Sequence, residues 1–313
     1  MVSAPTTCAR CGTEPTKNWR CSGCLDAPEY RPGDAAGVVY CGDDCQKGHW
    51  PAHKARCRSL GQRRKLLRAA SLLKAALLTY REVMFDPELA KIEFQNGVLC
   101  LYQNLAPRSA YGLFPSHLTA NVEHREAALA NNQCTTAMAL LAEAASTIQV
   151  IDLYIGKPLL RTRLIPNPNP VESTRVPHTV VKVRRQNSDE TWIIDTADCQ
   201  YGFRDVLVPY EKYLADRGCQ LAGTTIPAPY DASETSDLDY FDTLPFMNTA
   251  RSQREARELE RQARQRFATY VATRVYRAIL NGSQNDFQAA SEGLAAGLKL
   301  YMLDFARMKS LCT

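Results

Sequence analysis

The chain has 313 residues, 45% hydrophobic and 23% charged, with a formal net charge of +5. That balance excludes a disordered or fibrous chain, and no run of about 18 apolar residues is present to cross a bilayer. The length leaves room for a large core beside a smaller domain.

The N-terminus, MVSAPTTCARC, lacks the basic start and apolar stretch of a secretory leader, so a cytosolic or nuclear location is expected. Seven of the twelve cysteines crowd into the first 57 residues in paired spacings, which in a reducing compartment favours metal over disulfides. Charge is uneven too: residues 1–81 hold 14 Lys/Arg against 6 Asp/Glu. This surplus reads as a solvated basic face, and nucleic acid is not expected as a partner.

The potential ligands run Cys8-x2-Cys11, Cys21-x2-Cys24, Cys41-x3-Cys45 and His53-x3-Cys57. Eight donors suffice for two tetrahedral zinc ions, and short spacers let one turn present two donors to one ion. His49 competes for the imidazole position, but it stands seven residues before Cys57 and reads as a neighbour of the site. A segment this short and polar cannot bury enough apolar surface to fold by itself, so metal supplies most of its folding free energy.

The string CGDDCQKGHWPAHKARC, taken with the upstream pairs, resembles the MYND-type zinc finger over residues 8–57. The resemblance implies cross-bracing, with Cys8, Cys11, Cys41 and Cys45 on one zinc and Cys21, Cys24, His53 and Cys57 on the other. It also implies a groove for a proline-rich peptide of a protein partner at Gln46 and Trp50. Trp50 reads equally well as a core anchor. Four protein ligands per ion make both zincs structural, and no organic cofactor is expected.

Residues 59–81 carry Leu66, Leu67, Leu73 and Leu77 at helical spacing, with Ser59 or Gly61 near the start. One face should pack on the chain, leaving Arg63, Arg64 and Arg68 in water. Residues 98–105, VLCLYQNL, read as a short buried segment of open type, and IPNPNPVESTRVP as a proline-rich loop. His178 heads an apparent strand, HTVVKVRR; NSDE follows as a turn, and TWIIDTA as a second strand reaching Asp195. Folding at 187–190 makes His178 and Asp195 neighbours.

Cys134 opens a helix after Asn132 and Gln133. Free backbone N–H groups and the helix dipole lower a thiol pKa there, and an imidazole lowers it further. The expected site is a Cys134 thiolate with His178 as proton donor and Asp195 orienting the ring. The Cys134 N–H, with the Gln133 or Asn132 amide, would hold an oxyanion. Gln200, soon after, is a loop hydrogen-bonder or a member of the site. His117 and His124 form a weaker alternative base pairing. Cys100, Cys199, Cys219 and Cys312 lack a partner pattern.

Gln133-Cys134 opening a helix, His178 heading a strand and WIIDT in the next strand resemble the transglutaminase-like Cys-His-Asp fold over roughly residues 90–215. No glycine or tryptophan flanks Cys134 in the transglutaminase manner. The resemblance implies a cysteine-dependent acyltransferase or amide hydrolase.

Residues 221–249 read as an acidic surface loop interrupted by Tyr230, Tyr240, Phe241 and Phe246. Two helices follow, from Arg251 to Leu280 and from Gln284 to Lys309, parted by Asn281-Gly282. The expected fold is α+β: finger 1–58, connecting helix 59–89, thiol domain with antiparallel sheet 90–220, acidic loop 221–250 and packed C-terminal helices 251–313. Rival readings are a non-catalytic adaptor or transcriptional regulator and, last, a lysine methyltransferase, for which no Gly-x-Gly or Asn-His-Ser cofactor segment is found.

Overall fold

A computed structural model of the chain describes residues 6–17, 19–104, 111–139, 148–165, 176–186, 188–222, 228–229, 233–273 and 279–311. The backbone divides into two compact units, Met1–Ala69 with Arg277–Phe287 and Ala70–Tyr276 with Gln288–Thr313.

In the first unit β1 (Trp19–Arg20) pairs antiparallel with β2 (Val39–Tyr40) ahead of the helix α1 (Asp43–Val83), of which residues up to Ala69 belong to this unit. The helix starts well before Ser59: Asp43 and Asp44 complement the dipole of its first turn, and it continues through Pro51. Gly61 is therefore interior rather than a start signal. Its missing side chain gives room to a neighbouring backbone, since a Cβ there would lie 3.2 Å from the Gly23 carbonyl oxygen. Cys8, Cys21, Cys24, Tyr40, Cys57 and Leu60 form the small core.

The expectation of solvated arginines on α1 is overturned. Arg63 and Arg68 are buried. Arg63 makes a fork of two 2.8 Å bonds to Asp34, while Arg64 donates to the Ser22 and Leu25 carbonyls and Arg56 to those of Asp34 and Ala36. Arg68 donates to the carbonyls of Leu280 and Gly282 and stacks over Phe287. A loop with little regular structure leaves carbonyls without partners, and a guanidinium carries five donors to satisfy them.

In the second unit, the expected buried segment contains a strand: β3 (Leu89–Gln95) and β4 (Val98–Gln103) form an antiparallel hairpin, and Leu105 lies outside the described residues. The tight turn falls at Asn96 and Gly97, both with positive φ, as a two-residue hairpin requires. Then come α2 (Val122–Ala130), α3 (Cys134–Ala139), β5 (Ile148–Tyr154) and β6 (Arg161–Ile165), which returns parallel to β4. β7 (His178–Arg184), β8 (Thr191–Ile194), β9 (Leu207–Pro209), α4 (Tyr210–Arg217), β10 (Gln220–Leu221) and β11 (Ala228–Pro229) follow.

β10-β5-β7-β8-β9 is an antiparallel sheet, with β11 also on β5. Ile151, Leu153, Val180, Ile193, Val208 and Tyr213 form the core between that sheet and α4. The β7–β8 hairpin is closed by Arg185 N–H to the Glu190 carbonyl at 3.0 Å and by an Arg185–Glu190 ion pair. Within the expected turn, Asn187 lies outside the described residues, as does most of the proline-rich loop, at 166–175.

The acidic segment is not a plain loop. It contains α5 (Ser236–Asp242), whose Asp237, Asp239 and Asp242 pair with Arg264, Arg261 and Arg257 of α6 (Arg251–Ala272). Charge pairing fastens it; of its aromatics, Tyr240 and Phe246 are exposed, Phe241 is half-buried and Tyr230 lies outside the described residues. α6 ends at Ala272, short of Leu280, and residues 274–278 are outside the described set. α7 (Gln284–Met308) packs Leu298, Met302 and Phe305 against Phe267 and Tyr270 of α6 and Tyr80 of α1.

Candidate functional sites

The eight finger ligands fall into two groups, Cys8, Cys11, Cys41, Cys45 and Cys21, Cys24, His53, Cys57, with donor atoms in each group within 4.8 Å of one another. Zinc–sulfur bonds of about 2.3 Å at tetrahedral angles put neighbouring donors about 3.8 Å apart. The spacings fit: 3.4 Å for Cys11 to Cys41, 3.6 Å for Cys21 to Cys57 and 3.6 Å for Cys24 Sγ to His53 Nε2. Burial and the negative charges of Cys21 and Cys57 push the Cys24 thiol up to about 12. Four donors this close need a dication to hold them deprotonated. One all-cysteine site and one mixed site of three cysteines and a histidine result, in the cross-braced order, and both are consistent with structural zinc.

His49 is outside both groups. It stacks on His53 at 5.8 Å and bonds the Tyr40 hydroxyl at 3.0 Å. Trp50 is 40% exposed with its edge toward His53, and Gln46 is half-buried one helical turn before it. Trp50 is thus no core anchor.

The second unit gathers the other expected residues. Asn121 caps α2 by accepting the His124 N–H at 3.0 Å, and buried Ala127, Ala128, Leu129 and Ala130 fix that helix in place. Asn132 turns the chain with φ 57, and Cys134 then opens α3, half-buried. His178 heads β7 and Asp195 follows β8; the two are 1% and 2% exposed, with Nε2 to Oδ2 at 2.6 Å. The Cys134 thiol lies close enough to the His178 ring for each to shift the other's ionisation.

Electrostatics at this cluster are coupled. Burial opposes ionisation of Cys134, but the hydrogen bond and charge of His178, aided by Thr179, outweigh it and lower the thiol pKa. Burial likewise opposes a charged His178, yet Asp195 and Cys134 carry the ring well above its usual value. The Asp195 carboxyl is held down, against burial, by His178, by the Tyr213 hydroxyl at 2.7 Å and by the Ala197 N–H at 3.0 Å. By contrast, burial pushes the thiols of Cys199 and Cys219 up to about 12.

Five supporting residues stood outside the expected triad. Tyr201 meets the His178 ring edge-on at 5.0 Å, and Tyr213 reaches Asp195 from α4. Arg217 grips Asp198 with bonds of 2.9 and 2.5 Å, while burial and nearby Asp195 push Asp198 up to about 7. Gln200, 1% exposed, accepts the Asn132 N–H at 3.0 Å and sets its own Nε2 3.4 Å from His178 Nδ1. Only Gln200 carried a signal in the sequence, a carboxamide just after the aspartate. The Gln133 carboxamide donates to the Asn131 carbonyl at 3.4 Å, and Asn132 is exposed.

Residues 8–57 match the family model of the MYND finger. Fingers of this family commonly mediate protein–protein interactions. No curated protein and no solved structure matches the chain. Among the described residues, no helix is long and apolar enough to cross a membrane.

Proposed function

We propose that the chain joins a protein-recruiting zinc finger to a thiol site that attacks amide or ester carbonyls and passes the acyl group to water or an amine. The 2.6 Å bond between His178 and Asp195, beside a Cys134 thiol of lowered pKa, carries this reading. The order cysteine, histidine, aspartate and the hairpin joining the last two support a transglutaminase-like site.

The steps follow from the residues. Sγ of Cys134 forms a bond to the carbonyl carbon, and the carbonyl π pair moves to oxygen. The Cys134 N–H, at the first position of α3, has no intrahelical carbonyl to bond and is available to that oxyanion. Collapse breaks the bond to the leaving amine or alkoxide, which takes its proton from His178 Nδ1. The oxygen of incoming water or the nitrogen of an amine then bonds to the acyl carbon as His178 accepts its proton, and collapse breaks the carbon–sulfur bond to release the thiolate. Asp195 keeps Nε2–H directed away throughout. At the finger, the exposed Trp50 near Gln46 supports a peptide groove, with a proline-rich segment as its occupant.

A thiol alkylator applied at mildly acidic pH tests the site. Cys134 should label selectively, and His178→Ala should slow that labelling by about tenfold to a hundredfold, as expected for removal of a charged partner. Uniformly slow labelling of every cysteine outside the zinc cages would leave an adaptor instead.

A further inference from the structure

Gln200 has one hydrogen bond that fixes its orientation. The Asn132 backbone N–H can only donate, so the atom facing it at 3.0 Å is Oε1, and the amide cannot be flipped. Nε2 of Gln200 therefore faces His178 Nδ1, at 3.4 Å, with a hydrogen of its own. On the ring's other side, Nε2 addresses the Asp195 carboxylate at 2.6 Å. A proton on Nδ1 would meet the Gln200 N–H head-on.

We propose that Gln200 is a positioning residue that favours neutral His178, with the proton on Nε2 and the Nδ1 lone pair held by its carboxamide, in competition with the Cys134 thiol. This rests on the thiol-site reading above and deepens it. Nδ1 has a single in-plane lone pair. When the proton passes from Sγ to Nδ1, the sulfur keeps the electron pair, and the Gln200 bond must break. Gln200 thus tempers the ion pair that Asp195 promotes, keeping part of the site as thiol and imidazole.

The other groups facing the ring are Cys134 of α3, Asp195 after β8, and Asp198 and Tyr201 of the following turn. Tyr213 and Arg217 of α4 act through Asp195 and Asp198, and Asp152 of β5 acts through its 2.7 Å bond from Thr179. All of these persist in Gln200→Met, which removes the donor without adding charge.

The experiment follows Cys134 alkylation against pH in the zinc-loaded full chain and in Gln200→Met. The plateau rate near neutral pH should rise about threefold to tenfold, the range of one hydrogen bond, and its alkaline limb should move to higher pH. An acid-shifted Cys134 profile that Gln200→Met leaves unchanged would overturn the role of Gln200 while the thiol site stands. Cys134 reacting like an ordinary thiol in both chains would remove the site itself, and the proposal with it. Nitrogen NMR of the unaltered chain gives a reading independent of whether the variant folds. In the neutral ring, above its raised titration, an unprotonated Nδ1 supports the proposal, and a proton on Nδ1 there overturns it.

Discussion

The finger cages and the thiol site answer one problem in two ways. Each favours the anionic form of sulfur. In the cage that includes His53 all four ligands are buried, and the neighbouring negative charges raise the Cys24 thiol, so only a dication can reverse the balance. At Cys134 an imidazole and a carboxylate take the place of the ion, and the thiol is lowered although no metal donor set surrounds it among the described residues. A cage commits sulfur to structure because its coordination is full, whereas an ion pair leaves a lone pair free to attack.

The sharpest way to break this contrast is a strong chelator. Structural zinc contributes on the order of 10 kcal/mol, so the cage region should lose slow hydrogen exchange while Cys134 keeps its acid-shifted alkylation. The all-cysteine cage, with Cys11 and Cys41 exposed, should release its ion before the fully buried cage, and mass mapping of newly labelled thiols would show the order. Loss of the Cys134 profile together with the zinc would mean that the two devices are not separate.

Next in size is Arg63→Lys. Replacing a forked pair with a point charge should cost about 1 to 3 kcal/mol in chemical denaturation. Burial tends to raise Asp34, but Arg63 and the Arg31 and Tyr30 N–H groups outweigh it and hold the carboxyl below its usual range. Its contribution is therefore present above the ordinary carboxylate pKa of about 4 and fades as pH falls through the lower folded value. The lysine variant, which keeps the charge and the two N–H bonds, should lose part of that acid dependence, and a denaturation series over about pH 2 to 7 tests this.

Smallest is Tyr213→Phe. Deleting the hydroxyl that holds Asp195 at 2.7 Å should cost about 1 kcal/mol and reduce the Cys134 alkylation plateau severalfold. An unchanged plateau would place Tyr213 among purely structural residues.

What was legible in the sequence follows how local each signal is. The cages can be read from spacings of two and three residues, and the hairpin from two β-rich runs around a turn. Tyr213 could not be found, because it meets Asp195 only through the packing of α4 on the sheet. Nor could the placement of Arg63 and Arg68: a helical pattern gives a face but not the loop carbonyls waiting beside it. The acidic segment misled for a related reason, since its partners Arg257, Arg261 and Arg264 lie on a helix that reads as independent.

The arginine attachments of α1 have one more consequence. Arg56 and Arg64 grip main-chain oxygens of Ser22, Leu25, Asp34 and Ala36, and every residue type offers the same oxygen. The stretch from Leu25 to Ala36 can therefore exchange its side chains, Gly33 and Asp34 excepted, without losing these moorings. Tolerance for novelty there is set by the anchors on the helix rather than by the stretch they hold.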